Sequence, residues 1–240
     1  MVQRRLVKLR EAKRVPWGWI TDGTRWVYGG NTYSGVGAFM EEAAQVYRRD
    51  VWQGAGERVE IWIEKDALSG VLLPVVVHQW GLPLYVAHGF SSLSYLQSAA
   101  EAATADGRPA TIFALTDLDP AGIGIAKHVE AELRRRAPDV DIVVERLAVT
   151  PQQVLDWHLA TRPTKAGDSR AARYVREYGP TCTELDAIAP EMLRSLVSVA
   201  IEEHAPEGFD QLRVVEAAER ETLKKCAAWA QAVPMKEGAK

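Results

Sequence analysis

The chain has 240 residues with 29 Lys and Arg against 32 Asp and Glu, a net charge of −3, and 47% hydrophobic residues. That length suits one large domain or two small ones and is enough for a sizeable core. A weakly acidic balance excludes a global electrostatic pull toward nucleic acid, so any such contact must come from a local basic patch or from metal ions.

The first 14 residues, "MVQRRLVKLREAKR", look helical and basic and lack the apolar stretch of a secretory signal. No apolar run reaches the roughly 18 residues of a membrane span, so no membrane partner is expected. The two cysteines, Cys182 and Cys226, form no metal-ligand pair and no disulfide framework, which fits buried thiols in a reducing, cytoplasmic setting. Next, "RVPWGWITDGTRWVYGGNTYSG" mixes aromatics with Gly, Asn and Thr and reads as irregular. Its Trp17, Trp19 and Trp26 suit a small aromatic core better than base stacking. "VGAFMEEAAQVYRRDVW" returns to helical spacing, and "QGAGER" (53–58) marks a boundary.

From Val59 two kinds of element alternate. "VEIWI", "PLYVA", "ATIFALT" and "VDIVVERL" read as four short strands. Between them lie "DALSGVLLPVVVHQW", kinked or delayed by Pro74, the Ser-capped "SSLSYLQSAAEAATADG", and "AGIGIAKHVEAELRRRAP" with basic residues in its last turn. Strands alternating with helices predict an α/β fold built on a four-stranded parallel sheet, here spanning 58–150. A helical or irregular segment precedes it (1–57) and a helical region follows (151–240). That last region holds the capped helix "TPQQVLDWHL", a polar basic tract, and two amphipathic helices, "APEMLRSLVSVAIEEHAP" and "DQLRVVEAAERETLKKCAAWAQA".

In a parallel α/β sheet, functional side chains gather at the carboxyl ends of the strands. Glu64 follows the first strand, and Asp117 and Asp119 follow the third. If those strands are neighbours, the three carboxylates converge. Carboxylates that converge repel one another, and a hard cation such as Mg²⁺, or Mn²⁺ in its place, is their natural partner. Pro120 fixes φ at the start of the next helix, and Gly122 and Gly124 permit close backbone approach. Acids at strand ends also serve as plain helix caps. A phosphotransfer aspartate is a further option. Haloacid-dehalogenase-like enzymes, however, place their pair after the first strand and need Thr or Val where this chain has Ala121.

Taken together, "IWIEKDAL", then "AHGFSS", then "TDLDPAGI" about 50 residues after the first resembles the Toprim domain. The version it is most similar to is that of type IIB topoisomerase A subunits and the related meiotic double-strand-break proteins. The matching residues are Glu64, Lys65, Asp66 and Ala67, then Gly89, then Thr116, Asp117, Asp119, Pro120 and Gly122. The resemblance covers roughly 58–150; the whole chain also looks similar to actinobacterial and phage proteins carrying this domain. It implies Mg²⁺-dependent cleavage or transesterification of nucleic-acid phosphodiesters, with DNA the expected partner. Glu64 would be a general acid/base or metal ligand, and Asp117 and Asp119 would hold the metal; Lys65 is placed to contact phosphate, with a solvated lysine at a strand end as the other reading. Type IIB enzymes carry a nucleophilic Tyr in an Arg-Asp-x-Tyr-Tyr-like context within a separate winged-helix domain before Toprim. Here "YRRDVW" has Arg49 and Asp50 followed by Val51 and Trp52. Tyr28, Tyr33 and Tyr47 read best as packing residues. The nucleophile is then water, giving a nuclease, or a Tyr on a partner chain. The alternative is a non-catalytic nucleic-acid-binding or topoisomerase-like subunit. A homodimer is one form it could take.

Among secondary features, "TRPTKAGDSRAARYVREYG" offers Arg162, Lys165, Arg170, Arg173 and Arg176 as a phosphate-backbone surface, with Tyr174 and Tyr178 interleaved. A solvated helix face is the other reading. The five histidines show no metal-ligand spacing. Only His88, before Gly89 at the second strand's end, is placed to approach the acids.

Overall fold

The structure is a computed structural model that describes residues 8, 9, 11–14, 31–87, 93–165 and 167–232. His88, Gly89, Trp17, Trp19, Trp26 and Tyr28 lie outside the described residues. Residues 46–222 form one compact unit. The described parts of 1–45 and 223–240 form another.

The smaller unit contains α1 (Val36–Val46). The predicted helix runs on to residue 52, but the observed one stops at Val46. The six residues beyond it serve the larger unit. Val51 and Trp52 are buried in its core, the Trp52 indole donates to Trp80 O, and Tyr47 donates to Glu219 at 2.8 Å. Tyr33 meets Phe39 edge-on, with ring centroids 5.2 Å apart.

The larger unit is α/β. Its strands are β1 (Arg58–Ile63), β2 (Leu84–Val86), β3 (Ala110–Leu115) and β4 (Ile142–Ala148), all parallel, in the order β2-β1-β3-β4. After β1 comes a short 3₁₀ turn, then α2 (Ser69–Leu73), which Pro74 converts into a π-helical turn over Pro74–Gln79. Proline has no N–H to continue the ladder, and Trp80 N instead reaches back to Val75 O. Next come α3 (Leu93–Asp106), ended by Gly107 at φ +75°, and α4 (Pro120–Arg136).

Side-chain alternation along the strands divides the core in two. Val59, Ile61, Ile63, Phe113 and Leu115 face a cluster with Leu72, Val76, Leu185, Leu193 and Ile201. Trp62, Ala110, Ile112 and Ile142 face Leu96, Ala100, Ile125, Val129 and Leu133 of α3 and α4. Both faces are covered, as parallel sheets require.

Beyond the sheet come α5 (Pro151–Asp156), opened by a Thr150–Gln153 capping box, and then a two-stranded antiparallel pair, β5 (Arg162–Pro163) with β6 (Thr181–Cys182). Inside that hairpin sits α6 (Ala171–Tyr178). The tail helices are α7 (Pro190–Glu202) and α8 (Phe209–Ala232). Cys182 is buried, Cys226 partly exposed, and both are free thiols. Among the described residues no helix is long and apolar enough to cross a membrane.

Candidate functional site

The chain leaves β1 toward β2 on one side and β3 toward β4 on the other, so the order of the sheet reverses between β1 and β3. Helices connecting in opposite directions leave a crevice at such a point, at the carboxyl ends of the two strands. β1 and β3 pair in register, Ile63 opposite Leu115. Glu64 and Asp117 therefore emerge side by side at the crevice. Glu64 N donates to Leu115 O at 2.9 Å, and Asp117 N donates to Glu64 Oε2 at 3.0 Å.

The turn after β3 is tight for a reason that the sequence carries. Thr116 Oγ1 donates to Gly122 O, and a Cβ at Gly122 would lie 2.2 Å from Asp117 O. Only glycine lets α4 start this close to the strand. Asp119 caps that helix: its Oδ1 accepts from Ala121 N at 2.9 Å and Gly122 N at 2.8 Å.

Each acid has a different set of partners. Asp117 Oδ1 accepts from Leu185 N at 2.7 Å and lies 3.2 Å from Lys65 Nζ. Lys65 also binds Glu184 and reaches Asp186 at 3.4 Å. Arg162, from the β5–β6 hairpin, binds Glu184 and stands 3.5 Å from Asp119 Oδ2. Charges thus alternate from Asp117 through Lys65, Glu184 and Arg162 to Asp119. The hairpin is fastened to the turn by a backbone bridge between Leu118 and Thr183.

Electrostatics follow from this packing. Burial pushes Glu64 up, and the neighbouring Asp117 and Asp119 push the same way, against the Asp117 amide and Lys65. Burial also raises Asp117, opposed by the Leu185 amide and Lys65. Glu184 is pulled down to about 2, chiefly by its bond to Lys65. Burial works against the charge on Lys65, but Glu184 and Asp117 outweigh it and its pKa rises.

Arg146 escapes a motif-based reading. It lies on β4 where the ladder slips by one residue, leaving Leu147 as the extra residue of a bulge. Its Nη1 donates to Thr116 O, Asp117 O and Val149 O, each at 3.2 Å, and so clamps the turn that carries the acids. Burial lowers its pKa, while Glu64 and Asp119 act in the opposite sense. Arg146 Nη2 and Arg162 Nε are buried without a hydrogen-bond partner among the described residues.

The donor set tests the implied metal. Glu64 Oε1 has no partner among the described residues, and the ligating atoms on offer are all carboxylate oxygens, which suits a hard cation. No three His, Cys, Asp or Glu side chains among the described residues form a ready-made cage. What the residues offer a hard cation is one or two carboxylates rather than a full cage, and Mg²⁺ is an ion that binds through so few, with water and phosphate completing its shell.

The basic tract divides. Arg162 joins the acids, while Arg170 is held by Asp168 at 3.0 Å through two nitrogens. Lys165, Arg173 and Arg176 are exposed. The last two lie on α6, which packs beside the first turns of α4 because the buried Tyr174 hydroxyl donates to Leu118 O at 2.8 Å and Thr181 O at 2.9 Å.

Glu184 and Arg146 are the residues a motif search passes over. A charge inside a parallel strand is a signal for Arg146, since such strands run apolar and a buried cation needs partners. Glu184 has no local signal; it meets Lys65 across 119 positions of chain. Comparison with protein-family models and with curated proteins returns no match to this chain.

Proposed function

We propose that this protein is a Toprim-like, Mg²⁺-dependent enzyme that cleaves or transesterifies nucleic-acid phosphodiesters, with DNA as its partner in a cytoplasmic setting. The observation that carries this reading is the set of Glu64, Asp117 and Asp119 at the crevice between β1 and β3, with cations interleaved. Burial and neighbouring carboxylates disfavour the charge on Glu64, and burial disfavours that on Asp117, a cost that supports a role beyond packing.

A bound Mg²⁺ would stabilise charge on the phosphoryl oxygens. The rest falls to the chain itself. Glu64, fixed through Oε2 by the Asp117 amide, keeps Oε1 for exchanging a proton with the attacking or leaving oxygen. Asp117 and Asp119 would hold the cation. Lys65 and Arg162 exchange their carboxylate partners for phosphate oxygens when substrate enters. Arg146 keeps the turn in shape through its three carbonyl bonds. The nucleophile is water, or a Tyr contributed by a partner chain or a second copy.

A second reading has its own observation. Asp117 is engaged by an amide and a lysine and Asp119 by two amides, so both have structural duties without a metal. That favours a nucleic-acid-binding subunit without catalysis.

The test is nicking and linearisation of supercoiled plasmid, with structured RNA in parallel, in Mg²⁺, Mn²⁺ or EDTA. Glu64→Gln and Asp119→Asn serve as controls because each keeps an acceptor oxygen. Metal-dependent cleavage lost in both variants supports the enzyme. No cleavage by folded wild-type protein of either substrate, together with metal-independent nucleic-acid binding, supports the subunit.

A further inference from the structure

A cleft of about 110 Å³ opens between the first two turns of α4 and one face of α6. Pro120, Ile123 and the rings of Tyr174 and Tyr178 form its apolar lining. The two rings stack, 5.2 Å apart and 25° from parallel. At its rim stand Lys127 and Arg173, both exposed and without an ion-pair partner among the described residues. Arg170 is already held by Asp168, and Glu177 is the acid among the lining residues.

We propose that this cleft takes one unpaired nucleobase, stacked against Tyr178, with its flanking phosphates on Lys127 and Arg173, so that the protein acts on single-stranded nucleic acid or on a frayed end. An aromatic floor bordered by cations is the combination that recognises a base and its backbone together, without regard to sequence. A base within a duplex has both faces covered by its neighbours and cannot lie against a ring. The cleft is small, which matches one ring system rather than a stack. Its place is also telling. Pro120 directly follows Asp119, and Tyr174 is tied to Leu118 between the two aspartates, so the cleft and the acids share one rigid turn. The inference rests on the reading of those acids as a phosphodiester site, since the base in the cleft would belong to the strand being cut.

The test is fluorescence anisotropy in EDTA, where no cleavage is needed. The probes are labelled 12-nucleotide oligothymidylate, oligouridylate, an abasic oligomer of equal length, and a duplex of that length. Wild type should bind one of the single strands at least fivefold more tightly than the abasic oligomer and the duplex. Tyr178→Leu, which keeps apolar volume but removes the ring, should weaken that binding about tenfold, and Tyr178→Phe should restore it. Lys127→Ala and Arg173→Ala should each lower the slope of log affinity against log salt by about 0.7. Thermal melts check that every variant is folded. Equal affinity for the abasic and base-bearing strands, no binding of either single strand, or Tyr178→Leu equal to wild type would each overturn the proposal. Failure of the catalytic reading looks different: it is loss of metal-dependent cleavage with stacking-dependent binding intact.

Discussion

The amide of Asp117, two residues past the end of β3, donates to the carboxylate of Glu64, the residue directly after β1, at 3.0 Å. One hydrogen bond therefore joins the ends of two neighbouring strands and fixes one oxygen of Glu64 while leaving the other unpartnered among the described residues.

Glu64→Gln separates the structural part of this bond from its charge. The side-chain amide oxygen still accepts from Asp117 N, so the fold should lose less than about 1 kcal/mol. Burial and two nearby carboxylates disfavour the charge on Glu64, so in EDTA the variant should melt at or above the wild-type temperature. Metal-dependent cleavage should fall at least about 100-fold, the scale of a lost general acid/base. A variant that melts well below wild type would show that the carboxylate itself holds the crevice together.

Lys65 tests whether the site awaits a cation. Its ammonium lies among Asp117, Glu184 and Asp186. Lys65→Met leaves the largely buried Asp117 beside Glu184 with no positive charge between them, which should cost about 2 kcal/mol in EDTA. Mg²⁺ should recover much of this by binding the native state, so the rise in melting temperature on adding Mg²⁺ should be larger in the variant than in wild type. Equal losses in EDTA and Mg²⁺ would mean that Lys65 is a structural partner and that no cation takes its place.

Gly122 tests how tightly the turn is built. A methyl group there would sit 2.2 Å from the carbonyl oxygen of Asp117, which is backbone and cannot move alone. Gly122→Ala should cost about 2 kcal/mol or more in urea denaturation, at the upper part of the range for overpacking. Gly70, whose added Cβ would meet nothing within 4 Å, supplies the control: Gly70→Ala, within α2, should be neutral or slightly stabilising.

Much of this was legible from the chain alone. The four strands are short apolar runs between turn signals, and each lies within two residues of its sequence-based bounds. Glu64 and Asp117 stood out because an acid ending an apolar strand has to be accounted for. The β5–β6 hairpin was not legible: strands of two residues carry no periodicity, and Pro163 argues locally against a strand at all. Its effect on the site was hidden for the same reason. Only docking of distant segments brings Arg162 and Glu184 to Asp119 and Lys65, and no spacing rule spans that separation. The basic tract could be placed beside the acids only through the Tyr174 hydroxyl, whose acceptors are backbone carbonyls with no sequence signature.

The other end of the sheet gives the pH dependence. Arg108 binds Asp106 through Nε at 2.6 Å and Nη2 at 2.7 Å, while its Nη1 donates to Trp52 O and Ala55 O and so secures the segment entering β1. The bonds from Arg108 hold Asp106 down at about 2. An acid with a folded pKa below its unfolded value stabilises the protein fully above the unfolded value, near pH 4, and loses that contribution as pH falls toward the folded one. Asp106→Asn should therefore cost about 1 kcal/mol at neutral pH, and the gap between variant and wild type should close between about pH 4 and pH 2. Melting both proteins across that range checks it. A gap that stays constant to pH 2 would place the effect in hydrogen-bond geometry rather than in the charge of Asp106.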